Sequence, residues 1–202
     1  MNEADAPRHG TVEVRIHGRG GQGVVTAAEL LATAAFHQGR AAQAFPSFGS
    51  ERTGAPVVAF CRVSDSPIRA HDPVLDPDVV VVQDPTMLHV PGIQAGLEPG
   101  ALLLVNSVRH PEDLPLPSSR AQVVTVPASE LARARLGRPL PNTALLGALA
   151  GLTGIVSLPA LQRAIRGRFG GAAAEQNAAL AEDGFRIGRD HHATGADHAQ
   201  AG

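Results

Sequence analysis

The chain has 202 residues, a formal net charge of −2, a single cysteine, six phenylalanines and neither tryptophan nor tyrosine. The length suits one domain with a sizeable core, and the near-neutral charge and lack of stacking aromatics give no case for nucleic acid or an anionic membrane surface. A lone Cys61 excludes an internal disulfide or a self-contained cysteine-ligated cluster, no apolar run reaches the length of a membrane span, and the polar start lacks a signal peptide's apolar region, so the expected location is the cytoplasm.

Residues 1–10 read as a disordered leader. Val12, Val14 and Ile16 alternate with Glu13, Arg15 and His17, which predicts a half-buried strand over Thr11 to His17. His17 ends it, as a solvent-facing or simply hydrogen-bonded side chain or as a functional one.

Gly18, Arg19, Gly20, Gly21, Gln22 and Gly23 follow, and then an Ala- and Leu-rich run from Val24 to Gln38 with Gly39 as its stop. The pattern is strand, glycine turn, helix. Its glycines permit backbone angles closed to other residues and let a ligand or second chain approach the main chain. The first amides of the helix are unpaired and form an anion-binding end with the helix dipole, to which Arg19 adds a forked cationic donor. The spacing Gly18-x-Gly20-x-x-Gly23 also fits the dinucleotide fingerprint. That fingerprint wants an acid about 20 positions on, where Gln43 and Ala44 stand, so a nicotinamide cofactor is disfavoured. A bare tight turn is the remaining alternative.

Ala41 to Phe45 suggests a short strand. Phe45, Pro46, Ser47, Phe48, Gly49, Ser50, Glu51, Arg52, Thr53 and Gly54 form a loop by their Pro and Gly content, and two aromatics beside an Arg mark a contact surface or a pair folded into the core. Ala55 to Val63 is a strand in which Cys61 reads as a small buried hydrophobe. Four consecutive valines within Asp78 to Gln83 fit a strand buried on both faces. Asp84-Pro85 is a cap followed by a first-turn proline. Ala101 to Asn106 is another buried strand, whose end, Asn106-Ser107, is a ligand contact or a plain turn. Pro111 to Ser119 is an exposed proline-rich loop. Gln122 to Val126 is a strand and Ala128 to Leu136 a helix.

Beyond Asn142 the chain is helical: Ala144 to Leu152, capped by Asn142 or Thr143; Leu158 to Phe169, started by Ser157 and Pro159; and Ala172 to Ala181, ending near Gly184. Gly147 and Gly151 weaken the first of these and permit close packing. Residues 189–202 are small and polar and read as a disordered tail; their scattered histidines, His191, His192 and His198, are an unconvincing metal set. The sum is a single α/β domain over 11–188, with a mostly parallel or mixed sheet covered by helices and a helical C-terminal segment.

No phosphate loop ending in Gly-Lys-Ser/Thr, no paired CxxC, no HExxH and no Gly-x-Ser-x-Gly elbow is present. No catalytic constellation and no metal site is therefore assigned. A binding loop and a contact loop without catalytic residues suit a subunit that completes a site built elsewhere.

With both loops in view, the chain resembles the gamma subunit, or gamma-type domain, of 2-oxoacid:ferredoxin (acceptor) oxidoreductases, among them the pyruvate and 2-ketoisovalerate enzymes. The carriers of the likeness are His17 to Gly23, Phe45 to Gly54, and the helical end from Asn142 to Phe169 with Leu146-Gly147-Ala148-Leu149 and Gly154-Ile155-Val156-Ser157-Leu158. The resemblance implies assembly with alpha and beta chains that carry thiamine diphosphate, magnesium and iron–sulfur clusters. It implies oxidative decarboxylation of a 2-oxoacid to an acyl-CoA, with electrons passed to ferredoxin or another acceptor. Carried over, Gly18 to Gly23 would lie near a phosphate of CoA or at the shared interface. Phe45 to Gly54 would contact partner chains, with Ser50, Glu51 and Arg52 as the polar contacts. Two other readings stay open: a free-standing NAD(P)-dependent reductase, and a structural adaptor.

Overall fold

The structure, a computed structural model, describes residues 10–47, 54–70, 72–116 and 121–200, with side chains as far as 193 in the last helix. The alternating stretch forms β1 (Thr11–Arg19), two residues longer than the sequence suggests. It runs through the glycine turn into α1 (Val24–His37). The helix stops where expected: the Gln38 and Gly39 amides donate to the carbonyls of Ala35 and Phe36, and Gly39 takes a left-handed φ of 77°.

Next come β2 (Ala41–Pro46), β3 (Pro56–Ser64) and β4 (Val79–Val82). Asp84 caps a short 3-10 turn, Pro85–His89, by accepting from the Thr86 amide at 3.0 Å. The chain goes on through β5 (Leu102–Asn106), a turn at Pro111–Asp113, β6 (Gln122–Val126), α2 (Ala128–Leu136), α3 (Asn142–Thr153), α4 (Leu158–Arg168) and α5 (Gly171–Gln200). Ser157 starts α4 by accepting from the Ala160 amide, with a proline in the first turn.

The six strands form one mixed sheet in the order β2-β3-β1-β4-β5-β6. β1, β4, β5 and β6 are parallel, and β3 is antiparallel to both β1 and β2. Buried residues of all five α-helices pack on one face, against Val14, Ile16, Cys61, Val81 and Leu104. Among the described residues, no α-helix packs on the opposite face. Val80, Val82, Leu103 and Val105 are covered there by Met87, Leu88, Ile93 and Leu114 from the connections. The all-valine strand is thus apolar on both faces because each has its own cover.

Three expectations are corrected. The strand expected to be half-buried is covered on both faces: Arg15 and His17 are each 6% exposed, because the segments around residues 74–75 and 92–95 fold across that side of β1, and His17 is the hydrogen-bonded side chain that one of its readings allowed. Arg15 makes this possible: its guanidinium donates to the carbonyls of Leu75, Ile93 and Ala95 and to His17 Nε2. The third C-terminal helix does not end near Gly184. Gly184 and Gly188 lie inside α5, against the backbone of α3, so they are contact residues rather than stops. Its backbone stays helical through Gln200, over the segment where the sequence suggests a tail. The proline-rich loop is not wholly exposed, since Leu114 is drawn into the second core; residues 117–120 lie outside the described ones.

Candidate functional site

The carboxyl ends of β1 and β4 lie side by side, with His17 paired to Val82. From β1 the chain departs into α1 on the helical face, and from β4 it departs into the turn that buries Met87 and Leu88 on the other. Neighbouring parallel strands whose connections leave to opposite faces open a crevice between them, the usual ligand position in an open α/β sheet.

The glycine turn forms one lip of this crevice. Gly21 and Gly23 have φ of 94° and 73°, a region that favours glycine. Gly18 answers a different need, since a Cβ there would stand 2.6 Å from Val24 Cγ2 and 3.2 Å from Gln83 Cβ. The turn is pinned internally by the Arg19 amide donating to Gln22 Oε1 at 2.8 Å and the Gln22 amide donating to the Arg19 carbonyl at 3.0 Å.

The two sequence motifs meet here. Gly20 donates to the Ala55 carbonyl at 2.9 Å, Gly54 donates to the Gly20 carbonyl at 3.1 Å, and Arg19 Nη1 reaches the Gly54 carbonyl at 3.2 Å. Of the contact loop, Phe45 and Pro46 belong to β2 and the Ser47 amide donates to Val58. Phe45 packs against Phe60, ring centroids 5.2 Å apart, beneath the Arg62 guanidinium. That aromatic is therefore part of the sheet. Phe48, Gly49, Ser50, Glu51, Arg52 and Thr53 lie outside the described residues.

Two helix N-termini converge on the crevice. α1 is capped only by Gly23 and α3 only by Pro141; neither has a side-chain cap or an acid in its first turn. They touch: a Cβ on Gly23 would meet Asn142 Nδ2 at 2.5 Å. Neither Asn142 nor Thr143 acts as the cap expected of it, for α3 begins at Asn142, whose Oδ1 accepts from the adjacent Thr143 amide. Two adjoining helix N-termini, with the positive ends of their dipoles and no acid in either first turn, favour an anion.

Arg19, expected to offer its charge there, is engaged within the protein. Its Nε donates to Asp84 Oδ2 at 2.7 Å and its Nη2 to Thr86 Oγ1 at 2.9 Å. Burial would raise the Asp84 pKa, but the Thr86 hydrogen bonds and the Arg19 guanidinium outweigh it and hold the carboxyl below its usual range. The pair thus clasps the β1 and β4 exits together. At the β5 end, Asn106 Nδ2 donates to the Gln83 carbonyl and Ser129 Oγ, and Asn106 Oδ1 accepts from the Ser129 amide. Asn106 is a bracket between strand ends and α2.

Sequence reasoning missed Gln83, Asn142 and the partner role of Asp84. Gln83-Asp84 follows directly on the buried valine run, so the carboxyl end of a parallel strand was the available signal. His17 sits next to the turn but is buried, with its pKa pushed down to about 4 by desolvation and then by the Arg15 charge. It stays neutral and accepts from Arg15 Nε at 3.0 Å. Cys61 is fully buried and its thiol is pushed up to about 12 by desolvation, which makes it a poor nucleophile. Among the described residues, no group of three or more His, Cys, Asp and Glu could hold a metal ion. No helix there is long and apolar enough to cross a membrane.

A concavity of about 430 Å³ lies at the other end of β1, lined by Glu13, Arg62, Asp76 and Asp78. Its polar groups serve the fold: Arg62 Nε donates to Glu13 Oε1 and the Glu13 amide to Asp78 Oδ2. It has neither the helix ends nor the glycine turn of the crevice. The dinucleotide geometry is also unmet, because antiparallel β3 stands between β1 and β2 and Gln43 lies on the edge strand.

The family model described as pyruvate ferredoxin/flavodoxin oxidoreductase matches residues 13–187. The chain is 48% identical over 176 residues to the pyruvate/ketoisovalerate oxidoreductases common subunit gamma of Thermococcus kodakarensis, covering 86% of this chain and 95% of that one. It is 49% identical over 154 residues to the pyruvate synthase subunit PorC of Methanosarcina barkeri, covering 76% of this chain and 84% of that one. Among solved structures, the pyruvate oxidoreductase subunit PORC of Thermotoga maritima superposes with a TM-score of 0.79 at 38% identity, covering 88% of this chain and 96% of that chain.

Proposed function

The chain belongs to the pyruvate ferredoxin/flavodoxin oxidoreductase family, and on that premise we propose that it is the gamma-type subunit of a 2-oxoacid:acceptor oxidoreductase. It assembles with alpha and beta chains that hold thiamine diphosphate, magnesium and iron–sulfur clusters. It helps a 2-oxoacid, pyruvate or a branched-chain relative, pass to an acyl-CoA while electrons go to ferredoxin or another acceptor. The place of action is the cytoplasm.

In this reading Gly18 to Gly23 and the two helix N-termini receive a phosphate group of CoA, and the loop from Phe45 to Gly54 meets the partner chains. The chain's own residues bind and orient; none transfers a proton or electron. The observation that carries the reading is the joining of both motifs at one crevice through the Gly20 bonds to Gly54 and Ala55. A ligand on the turn and a partner on the loop would then be felt by the same backbone. Arg19 and Asp84 keep the turn seated, and the helix amides supply the anion site.

The test is titration of CoA into the assembled complex, comparing wild type with Gly20→Val. The account expects the variant to lose both CoA affinity and retention of partner chains. Unchanged CoA affinity would favour the structural adaptor, and saturable NAD(P) binding by the free chain would favour a reductase.

A further inference from the structure

Gln83 is the least explained polar group in the described structure. It is 1% exposed, and both its side-chain Nε2 and Oε1 lack a hydrogen-bond partner. Buried amides are almost always paired, so an orphan calls for an explanation. Its backbone is fully used, with the amide donating to the His17 carbonyl and the carbonyl accepting from Asn106 Nδ2. The side chain continues the row that includes Val79 and Val81, on the helical face. There its Cβ abuts Gly18, against which Gln22 Oε1 and Val24 Cγ2 also close. It therefore lies at the root of the glycine turn, under the N-terminus of α1. At the tip of the same turn there is open space, with nothing within 4 Å of where a Gly21 Cβ would be.

We infer that Gln83 is a positioning residue for the crevice's ligand, its carboxamide satisfied only when a phosphorylated sugar seats under the glycine turn, Nε2 donating to a phosphoryl oxygen and Oε1 accepting from a hydroxyl. The inference rests on the CoA reading above. It adds a neutral reader of the nucleotide end beneath the helix dipoles. Filling the crevice completes a pair of hydrogen bonds that the empty protein lacks, so an apolar isostere suits the empty state and penalises the bound one.

The test uses Gln83→Met and Gln83→Leu in the assembled complex, with calorimetric titration of CoA, 3′-dephospho-CoA and inorganic pyrophosphate, and thermal melting without ligand. Loss of a ligand hydrogen bond weakens CoA about tenfold and raises its KM about as much while kcat stays within about twofold. Melting of the unliganded protein stays level or rises. If the Gln83 effect vanishes with 3′-dephospho-CoA, the phosphoryl group met is the 3′-phosphate; if it persists there and with pyrophosphate, it is the pyrophosphate. CoA binding equal to wild type in both variants overturns the inference and leaves the CoA reading standing. A fall in melting temperature with unchanged affinity also overturns it, assigning the amide to a buried water. Failure of the wild type to bind CoA instead sinks the CoA reading, and this inference with it.

Discussion

Two groups of glycines do opposite work in this molecule. In the turn, Gly21 has open space where a Cβ would be and is glycine for its left-handed φ. In the seam between α3 and α5, Gly147 and Gly151 face the carbonyls of Ala181 and Phe185, while Gly184 and Gly188 face those of Ala144 and Ala148. There the backbones come so close that a side chain would overlap main chain that cannot move aside. The seam depends on absence of volume, whereas the tip of the turn at Gly21 depends on freedom of angle.

The seam should break hardest. Gly184→Val places branched carbon against the Ala144 carbonyl, and overpacking at backbone is expected to cost more than about 4 kcal/mol, enough to leave the chain unfolded by circular dichroism. Gly147→Val should do the same against Ala181.

A pH titration separates the regions next. His17, beside the turn, is held neutral in the folded chain with a pKa of about 4 against 6.5 unfolded. Its contribution is complete above about 6.5 and is lost as pH falls toward 4, because the unfolded chain takes up the proton first; that window is worth roughly 3 kcal/mol. Denaturant unfolding between pH 7 and 4 should show this slope, and His17→Asn should flatten it. The glycine and alanine contacts of the seam contain nothing that titrates.

Smaller effects belong to the turn itself. Gly21→Ala meets no neighbour and should cost only its left-handed φ, about 1–2 kcal/mol by denaturant titration. Arg19→Ala removes a partly exposed ion pair with Asp84 and should cost about 1 kcal/mol of stability. CoA affinity should fall as well if the clasp seats the turn.

Much of this fold was legible in the sequence for plain reasons. Period-two alternation marked β1, the valine run marked β4, and Ser157 with Pro159 marked the start of α4. What escaped was whatever depends on cover from distant chain. The strand holding Arg15 and His17 looks half-buried until the connections near residues 74 and 93 fold over its second face. Gly184 looks like a helix stop until α3 lies against it. Of the site, the glycine turn was visible because its composition is local. Gln83 and Asn142 were not, because each gains meaning only from a neighbour: Gly18 packs on Gln83, and Gly23 on Asn142. Arg19 could be read as a free cation because its partner Asp84 is 65 positions away.

On the function proposed above, this chain completes a site whose reactive cofactors sit on other chains. The most direct measurement is coexpression with thiamine-binding partner chains, followed by size-exclusion chromatography and an assay of 2-oxoacid- and CoA-dependent acceptor reduction with and without this chain. The account predicts a stable complex whose CoA-dependent turnover requires this chain, and no turnover by the chain alone. A chain that stays monomeric beside those partners, or that by itself turns over an oxoacid or a nicotinamide, would contradict it.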